Sequence, residues 1–226
     1  MEEFLNTNTN KIIIFGNKDM AELACFYFRN DSNYVPVAFC VDGAYLKESR
    51  FNDLPVIAFE DIEKEYPPDK FLFSAPIYAS KMNKLKAEIC DKIEKKGYNF
   101  ASYISSKAYT WNAKIGKNAF IFEGCNIQPF CEVGDNLVIW SFSHIGHHTK
   151  VGNNNFISGN VVIAGHNRID DFCFLGTNCS TKNDTHISSS TFVGQDASVV
   201  CDLEPEGGVW VGIPAKRVKE SSEIKF

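Results

Sequence analysis

The chain has 226 residues, enough for two modest domains, and a formal charge of −5 with no basic run. This balance argues against nucleic acid as a partner, and the lack of an apolar stretch of ~18 residues argues against a membrane span. The acidic start Met1-Glu2-Glu3 is unlike the basic opening of a signal peptide. Eight cysteines without a Cys-x-x-Cys pair favour a reduced, cytoplasmic protein that lacks a structural zinc site.

The first hundred residues predict a small parallel sheet with helices on its faces. The predicted strands are 11–15, 35–41 and 71–74, and the predicted helices are 20–28, 59–66 and 81–96. Ligands of such a sheet lie at the carboxyl ends of its strands. Gly16 and Asn17 follow the first strand, where amides can meet a phosphate, and Asp42 ends the second, where a carboxylate can accept from a ribose hydroxyl. A structural turn and an ordinary capping aspartate explain these residues equally well.

Beyond residue 100 an aliphatic residue recurs every six positions, a period that neither a helix nor an ordinary strand explains. The series is Ile115, Ile121, Ile127, Val133, Ile139, Ile145, Val151, Ile157, Ile163, Ile169 and Leu175, and it resumes at Ile187, Val193 and Val199. A sustained hexapeptide period indicates a parallel β-helix whose triangular coils each use three hexads, with about five coils over residues 113–202. Thr181 interrupts the series and predicts a loop over residues 183–190.

A second register supports the β-helix. Four residues after each aliphatic comes a small or modest side chain, Leu137 being the exception within the repeat. Four cysteines occupy this register, and we interpret them as filler of a narrow core: Cys125, Cys131, Cys173 and Cys179.

The histidines all lie within the repeat. A step of one full coil, which is three hexads, places Gly165 beside His147 and His166 beside His148, near an exposed edge. A neutral imidazole can take a proton from an attacking amine or hydroxyl, and a backbone N–H can stabilise an oxyanion. The pair of His147 and Gly165 therefore suits acyl transfer. Solvated rings, or packing at a trimer seam, are the alternative.

Metal binding is a competing interpretation of these histidines. Three nearby imidazoles can hold zinc and leave one position open for water. His148 and His166 are neighbours on one ladder, but the sequence shows no obvious third ligand, so we expect no metal. We assign no role to His144 or His186. His144 is predicted to lie on a different part of the side of the β-helix, and His186 falls in the predicted loop.

Four segments carry a specific resemblance to a known family. They are residues 12–16, 144–152, 173–178 and 209–218, the last containing Val-Gly-Ile-Pro-Ala-Lys, a mark of hexapeptide acyltransferases. Across residues 11–218 the chain resembles the two-domain nucleotide-sugar acetyltransferases of the sialic-acid O-acetyltransferase-like group, which includes the bacillosamine N-acetyltransferase. The resemblance implies an α/β, Rossmann-like nucleotide-sugar-binding domain over 1–102 and a left-handed β-helix acyltransferase domain over 103–226.

The resemblance also implies partners and roles. It implies a homotrimer that transfers acetyl from acetyl-CoA to the amino group of a UDP- or dTDP-linked amino-deoxy sugar. The catalytic positions of the family fall on His147 as general base, on His148 beside it and on the Gly165 amide as oxyanion donor. Substrate contacts fall on Gly16, Asn17, Asp42 and His166. Contacts to acetyl-CoA fall on Gly165, Gly176, Thr177, Gly194, Pro214 and Lys216.

The chain departs from this family at two places. His148 stands where the bacillosamine-type enzyme has a glutamate, whose carboxylate would orient the base. Residues 74–78 replace a frequent Gly-Asn pair, and Pro76 removes one N–H there. We expect N-acetylation, because an amine needs a weaker base than a hydroxyl. O-acetylation of a sugar hydroxyl, or a metal-dependent or non-catalytic trimeric β-helix protein, remain the alternatives.

Overall fold

The computed structural model describes residues 10–224, so the acidic Met1-Glu2-Glu3 start lies outside the described residues. The chain divides into two compact units. The first contains residues up to Ile77 together with Glu88–Ser102, and the second contains Tyr78–Ala87 together with the chain from Tyr103 onward. The predicted domain 1–102 had included the segment Tyr78–Ala87, which belongs instead with the second unit.

The first unit is a Rossmann-like α/β structure. Its strands are β1 (Lys11–Phe15), β2 (Val35–Val41), β3 (Arg50–Phe51), β4 (Leu54–Ala58) and β5 (Leu72–Ser74), in the spatial order β3-β4-β2-β1-β5. The helices of the chain are α1 (Asp19–Asn30), α2 (Ile62–Glu65) and α3 (Lys84–Lys95), with 3₁₀ turns at Gly43–Tyr45, Phe59–Asp61 and Ser221–Glu223. None of the helices within residues 10–224 has the length and apolar character needed to cross a membrane.

The central strands explain this layering. Ile12, Ile13 and Ile14 of β1 are consecutive and fully buried, so both faces of the sheet are covered, as is usual for parallel strands. β1 pairs in parallel with β2 and β5, and β2 pairs in parallel with β4.

The sequence did not predict β3 and β4. They form an antiparallel hairpin whose turn residues Asn52 and Asp53 have φ of 46° and 62°. Asn and Asp tolerate this left-handed conformation better than most residues, and it suits a two-residue hairpin turn. β4 thus extends the parallel sheet beyond the three predicted strands.

The second unit is a left-handed parallel β-helix. Its strands are β6 (Tyr103–Ile104), β7 (Lys114–Ile115), β8 (Phe120–Ile121), β9 (Asn126–Ile127), β10 (Glu132–Val133), β11 (Val138–Ile139), β12 (His144–Ile145), β13 (Lys150–Val151), β14 (Phe156–Ile157), β15 (Val162–Ile163), β16 (Arg168–Ile169), β17 (Phe174–Leu175), β18 (Ser180–Thr181), β19 (His186–Ile187), β20 (Phe192–Val193), β21 (Ser198–Val199), β22 (Gly208–Val211) and β23 (Lys216–Glu220). They form three faces. The first face is β7, β10, β13, β16 and β19; the second is β6, β8, β11, β14, β17, β20, β22 and β23; the third is β9, β12, β15, β18 and β21.

The predicted register is confirmed. Strands of the repeat pair with the strand three hexads further on, as His144 does with Val162 and Val138 does with Phe156. The hexad aliphatics line the core, with Ile115 at its end only partly buried. The four cysteines of the second register are fully buried beside them, which confirms their role as filler.

The loop predicted over residues 183–190 is wrong, because the coil continues through it as β18, β19 and β20 without interruption. Thr181 takes the inward position of β18 and is 7% exposed. Its Oγ1 accepts a hydrogen bond from the Ala164 N–H at 3.2 Å, so the hydroxyl is satisfied within the wall. Threonine has nearly the shape of valine and can take an inward position once its hydroxyl has a partner. His186 consequently lies in a regular strand.

Tight corners join the faces, and each contains a residue with positive φ. In the first corner, which follows the first face, these residues include Asn118, Asn136 and Asn154; in the second corner, Asn160 and Asn178. We call the corner that follows the third face the histidine corner; it consists of residues 128–131, 146–149, 164–167 and 182–185. Its residues with positive φ are Phe130, His148, His166 and Asp184.

The segment Tyr78–Ala87 packs against the second face. The Tyr78 ring meets Phe156 edge-on at 5.0 Å, and Asn83 donates through Nδ2 to the Cys173 carbonyl at 3.1 Å. Lys86, buried to 2% exposure, donates through Nζ to the Asn136 carbonyl at 2.8 Å. Residues 81–83 have positive φ, so α3 begins at Lys84 and not at the predicted Lys81.

Candidate active site

Three imidazole rings meet at the histidine corner, as the three-hexad period of the coil predicts. His147, His148 and His166 are all exposed, and each offers a ring nitrogen that lies within 4.8 Å of the others. The two corner residues His148 and His166 have φ of 59° and 60°, and their rings stack with centroids 4.9 Å apart and planes 13° apart. Phe130 continues this ladder, 4.8 Å from the His148 ring.

A hydrogen bond between ring nitrogens fixes His147 against His148. Their Nδ1 atoms are 3.1 Å apart, and the two rings are nearly perpendicular. Two neutral nitrogens at this distance share one proton, so one ring donates and the other accepts. When the proton is on His147 Nδ1, the other ring nitrogen of His147, Nε2, has an open lone pair. That tautomer is the one a general base requires.

Gly165 lies directly against the His147 ring. A Cβ placed on Gly165 would be 2.9 Å from Cε1 and 3.0 Å from Nε2 of His147, closer than real side chains approach. The backbone is also tied at this point, because the His166 N–H donates to the His147 carbonyl at 2.9 Å. A side chain at position 165 would therefore displace the His147 ring.

Two residues that the sequence reasoning missed complete this site. The Gly165 N–H donates to Oδ1 of Asn183 at 3.1 Å, so the amide expected to hold an oxyanion already has a partner. The His147 N–H donates to Oε1 of Gln128 at 2.9 Å. Asn183 lies one coil beyond Gly165, so the same step of three hexads that identified Gly165 would have found Asn183 as well.

The two histidines without a predicted role lie elsewhere. His144 is half-buried in β12, and burial lowers its pKa. His186 Nε2 is 2.8 Å from Oδ2 of Asp170, and its Nδ1 is 3.4 Å from Oε1 of Glu204. Burial raises the pKa of Asp170, but hydrogen bonds from His186 and Arg168 outweigh it and lower that pKa overall. His186 therefore has a structural partner on the first face.

The expected acetyl-CoA contacts form a separate group. Apart from Gly165, they lie in or above the second corner: Gly176, Thr177, Gly194, Pro214 and Lys216. A Cβ on Gly176 would overlap the backbone of Gly194, and a Cβ on Gly194 would lie 2.7 Å from Val211 Cγ1. Within one chain the third face separates this group from the histidine corner.

The candidate nucleotide contacts are grouped in the first unit. Gly16 has φ of 112° and donates its N–H to the Cys40 carbonyl at 2.7 Å, so its amide is already engaged. Partly buried Asn17 follows it, and Asp42 follows the neighbouring strand β2. Asp42 Oδ2 is 3.8 Å from Lys92 Nζ. These residues lie at the carboxyl ends of parallel strands, where α/β sheets bind ligands.

A groove elsewhere on the β-helix holds none of the candidate residues. It has a volume of about 470 Å³ and runs along the first face, past the charged side chains of Lys114, Glu132, Lys150 and Arg168. Ion pairs such as Lys114 with Glu132 at 3.3 Å partly neutralise its charge. The groove lies on the first face and contains none of the three histidines of the histidine corner.

Comparison with known proteins agrees with this fold. A model of bacterial transferase hexapeptide repeats (six repeats) matches residues 112–147 and 131–165, whereas a comparison with curated proteins returns no match. The acetyltransferase domain of PglB from Neisseria gonorrhoeae FA1090 has a TM-score of 0.83 at 20% identity, over 92% of this chain and 100% of that one.

Two further solved structures are similar over most of the chain. PerB from Caulobacter crescentus, solved with CoA and GDP-perosamine, has a TM-score of 0.81 at 19% identity, over 92% and 97% of the two chains. WeeI from Acinetobacter baumannii AYE has a TM-score of 0.59 at 22% identity, over 92% and 99%. The matched hexapeptide repeats cover residues 112–165, and the solved structures share the fold of this chain.

Proposed function

We propose that this protein is an N-acetyltransferase that moves acetyl from acetyl-CoA to the amino group of a nucleotide-linked amino sugar. The observation that carries the proposal is the contact between the His147 ring and Gly165 at the histidine corner. Support comes from the shared fold, since the PglB domain has been solved with acetyl coenzyme A, and PerB with CoA and GDP-perosamine.

His147 is the proposed general base. The sugar amine attacks the thioester carbonyl carbon, a C–N bond forms, and the C–S bond breaks to release CoA as its thiolate. The ammonium proton passes to Nε2 of His147, whose Nδ1 stays bonded to His148. His148 thus acts as a positioning residue that selects the tautomer and orientation of the base.

The partner of His147 favours an amine over a hydroxyl as the nucleophile. A carboxylate at Nδ1 would strengthen the base by stabilising the imidazolium, whereas His148 offers a neutral ring when it accepts the hydrogen bond. An amine that has lost its proton needs the base only to take up the proton released on attack. A sugar hydroxyl needs a stronger base, so we rank O-acetylation second.

The Gly165 amide is the proposed oxyanion donor. Its N–H now donates to Asn183, whose exposed carboxamide must turn away before the amide can meet the thioester oxygen. Exposed side chains change rotamer within nanoseconds, so this exchange does not limit a slow chemical step. A preorganised oxyanion donor contributes about 10²–10³ to the rate in known cases, and the release of Asn183 reduces that gain for Gly165.

The remaining contacts follow from their positions. We propose that Gly16, Asn17 and Asp42 contact the nucleotide, with UDP or dTDP as the first choice, and that His166 contacts the sugar beside the base. Acetyl-CoA is proposed to contact Gly165 at the histidine corner, and the second corner through Gly176, Thr177, Gly194, Pro214 and Lys216.

We propose a homotrimer that associates through the third face and its two corners. Large apolar side chains are exposed there, and water is a poor environment for them: Tyr109, Trp111, Phe130, Phe142 and Val162. Association would bring the second corner of one chain toward the histidine corner of another. The cytoplasm is the proposed compartment, since all eight cysteines are free thiols.

The proposal is tested by incubating the protein with acetyl-CoA and a panel of UDP-, dTDP- and GDP-linked amino sugars, with release of the CoA thiol as the readout. We expect release that depends on one class of amino sugar and is absent with the matching sugar that lacks the amine. Release that is equal with and without the amine, or none with any member, would contradict the proposal.

A further inference from the structure

We propose that the histidine corner binds a divalent transition-metal ion of the Zn²⁺ kind through His147, His148 and His166. These three side chains supply ring nitrogens within 4.8 Å of one another, and all three are exposed within the single chain. Imidazole is a preferred ligand of Zn²⁺, and three histidines with one open position form a known type of site. Nothing in the acetyl-transfer mechanism requires such an ion, so it acts here as a ligand and not as a cofactor.

The pair His147 and His148 already has the spacing of two ligands on one ion. Their Nδ1 atoms are 3.1 Å apart. Two nitrogens at about 2.0–2.1 Å from a tetrahedral zinc are about 3.3 Å apart. An ion placed between these nitrogens therefore replaces their shared hydrogen bond with little movement of either ring.

The third ligand is His166, one coil away. Its ring centroid lies 5.0 Å from that of His147 and 4.9 Å from that of His148. Because its ring stacks on His148, a rotation about its side-chain torsions is needed to turn a nitrogen toward the ion. The ring is exposed, so this rotation meets little resistance.

The same corner contains one carboxylate, Asp184, together with the ammonium group of Lys182. Asp184 follows His166 in the ladder of residues with positive φ and is exposed one coil further on. The Asp184 N–H donates to the Gly165 carbonyl at 3.3 Å, which fixes its backbone beside the site. A nearby carboxylate attracts a cation without being one of its ligands.

Metal binding and base catalysis exclude each other. When the ion takes Nδ1 of His147, the proton formerly there moves to Nε2, and His148 gives up the hydrogen bond that it accepted. No net proton is released, but Nε2 of His147 can no longer accept one from an amine. The expected inhibition rests on the proposed function, whereas metal binding itself does not.

Binding is tested by isothermal titration of the chelator-treated full chain with Zn²⁺, and by the visible spectrum after titration with Co²⁺. The variants are His148→Asn and His166→Asn, because asparagine occupies equivalent positive-φ positions at Asn154 and Asn160, and His186→Asn is the control. We expect one ion per chain, and each corner variant should weaken binding by at least about tenfold, since losing a ligand costs no less than losing a group that only orients one. No stoichiometric binding, or equal affinity in all variants, would overturn the site.

Formation of the acetylated sugar, measured by mass spectrometry at the same Zn²⁺ concentrations because Zn²⁺ also binds the released thiol, separates the two ideas. Loss of turnover that follows occupancy, and returns on adding chelator, supports the inhibitory consequence. Full turnover with the ion bound would refute His147 as the base and leave the metal site standing. Retained circular dichroism in each variant confirms that a lost signal reports ligand loss.

Discussion

Asparagine side chains form hydrogen-bonded ladders along two corners of the β-helix, whereas two histidines stack at the third. In the first corner, Asn118 donates to Asn136 and Asn136 donates to Asn154, each at 2.9 Å. In the second, Asn160 donates to Asn178 at 2.7 Å. All these positions have positive φ, which asparagine tolerates well.

The histidine corner has the same backbone but a different set of contacts. His148 and His166 replace the carboxamide ladder with stacked rings, and their edges remain exposed beside His147. A buried asparagine ladder stabilises a corner, whereas exposed imidazoles contribute little to stability and keep ring nitrogens open to a ligand. We propose that these corners, which share one backbone conformation, are divided between stability and chemistry, and substitutions at each corner distinguish the two roles.

Substitution of His147 is expected to have the largest effect on turnover. His147→Ala should lower turnover by about 10²–10⁴-fold with the β-helix intact, the usual contribution of a general acid or base. Asn153→Ala changes the equivalent position one corner further on and should leave turnover unchanged. The measurement is steady-state thiol release, and full activity in His147→Ala would remove that residue from the mechanism.

A methyl group at Gly165 should have the next largest effect. Gly165→Ala places a Cβ 2.9 Å from the His147 ring, which must move, and a misplacement near 1 Å costs about 10²-fold in rate. Gly159→Ala is the equivalent change in the second corner, where the nearest atom is 3.5 Å away. Kinetics and unfolding midpoints are measured for both, and equal activities would contradict a special role for Gly165.

Asn136 tests the stability side of the comparison. Asn136→Ala puts alanine at φ of 62° and removes two ladder hydrogen bonds, so the free energy of unfolding should fall by about 2–4 kcal/mol. His148→Asn should lower it by less than about 1 kcal/mol, because an exposed ring is replaced by a residue that suits positive φ. Denaturant titration measures both, and the reverse order would contradict the division between corners.

Asp42 tests whether the nucleotide binds to the first unit and not to the corners of the β-helix. Asp42→Ala should raise the KM for the sugar nucleotide by about tenfold, the value of one hydrogen bond to a charged group, and leave the KM for acetyl-CoA unchanged. Asp61→Ala removes an exposed carboxylate of the same unit and should change neither constant. An equal effect of Asp42→Ala on the KM of both substrates would contradict the assignment of Asp42 to the nucleotide site.

Much of the β-helix follows from the sequence because its constraints repeat. One inward aliphatic per face and one small residue per corner recur often enough to fix the register, and the register places Gly165 beside His147. Thr181 led to the wrong prediction of a loop. A threonine can occupy an inward position of the β-helix only when its hydroxyl has a hydrogen-bond partner, here the Ala164 N–H. That partner belongs to another coil, so the sequence pattern does not reveal it.

Other features depend on contacts that do not recur with the hexapeptide repeat. The left-handed turn at residues 81–83 is stabilised where Asn83 and Lys86 reach carbonyl groups of the β-helix. The Nδ1 contact between His147 and His148 depends on ring orientations, and the pairing of Asn183 with the Gly165 amide depends on a rotamer. Sequence spacing brings such residues near one another but does not set their side-chain torsions.

The most direct test of the central claim is the chemical nature of the product. The protein is incubated with acetyl-CoA and the amino sugar nucleotide that supports thiol release, and the acetylated product is then treated with hydroxylamine, which cleaves esters and spares amides. We predict one acetyl group per sugar, retained after the treatment and formed at least about 10²-fold more slowly when His147→Ala replaces the wild type. An acetyl group removed by hydroxylamine would contradict N-acetylation and establish transfer to a hydroxyl.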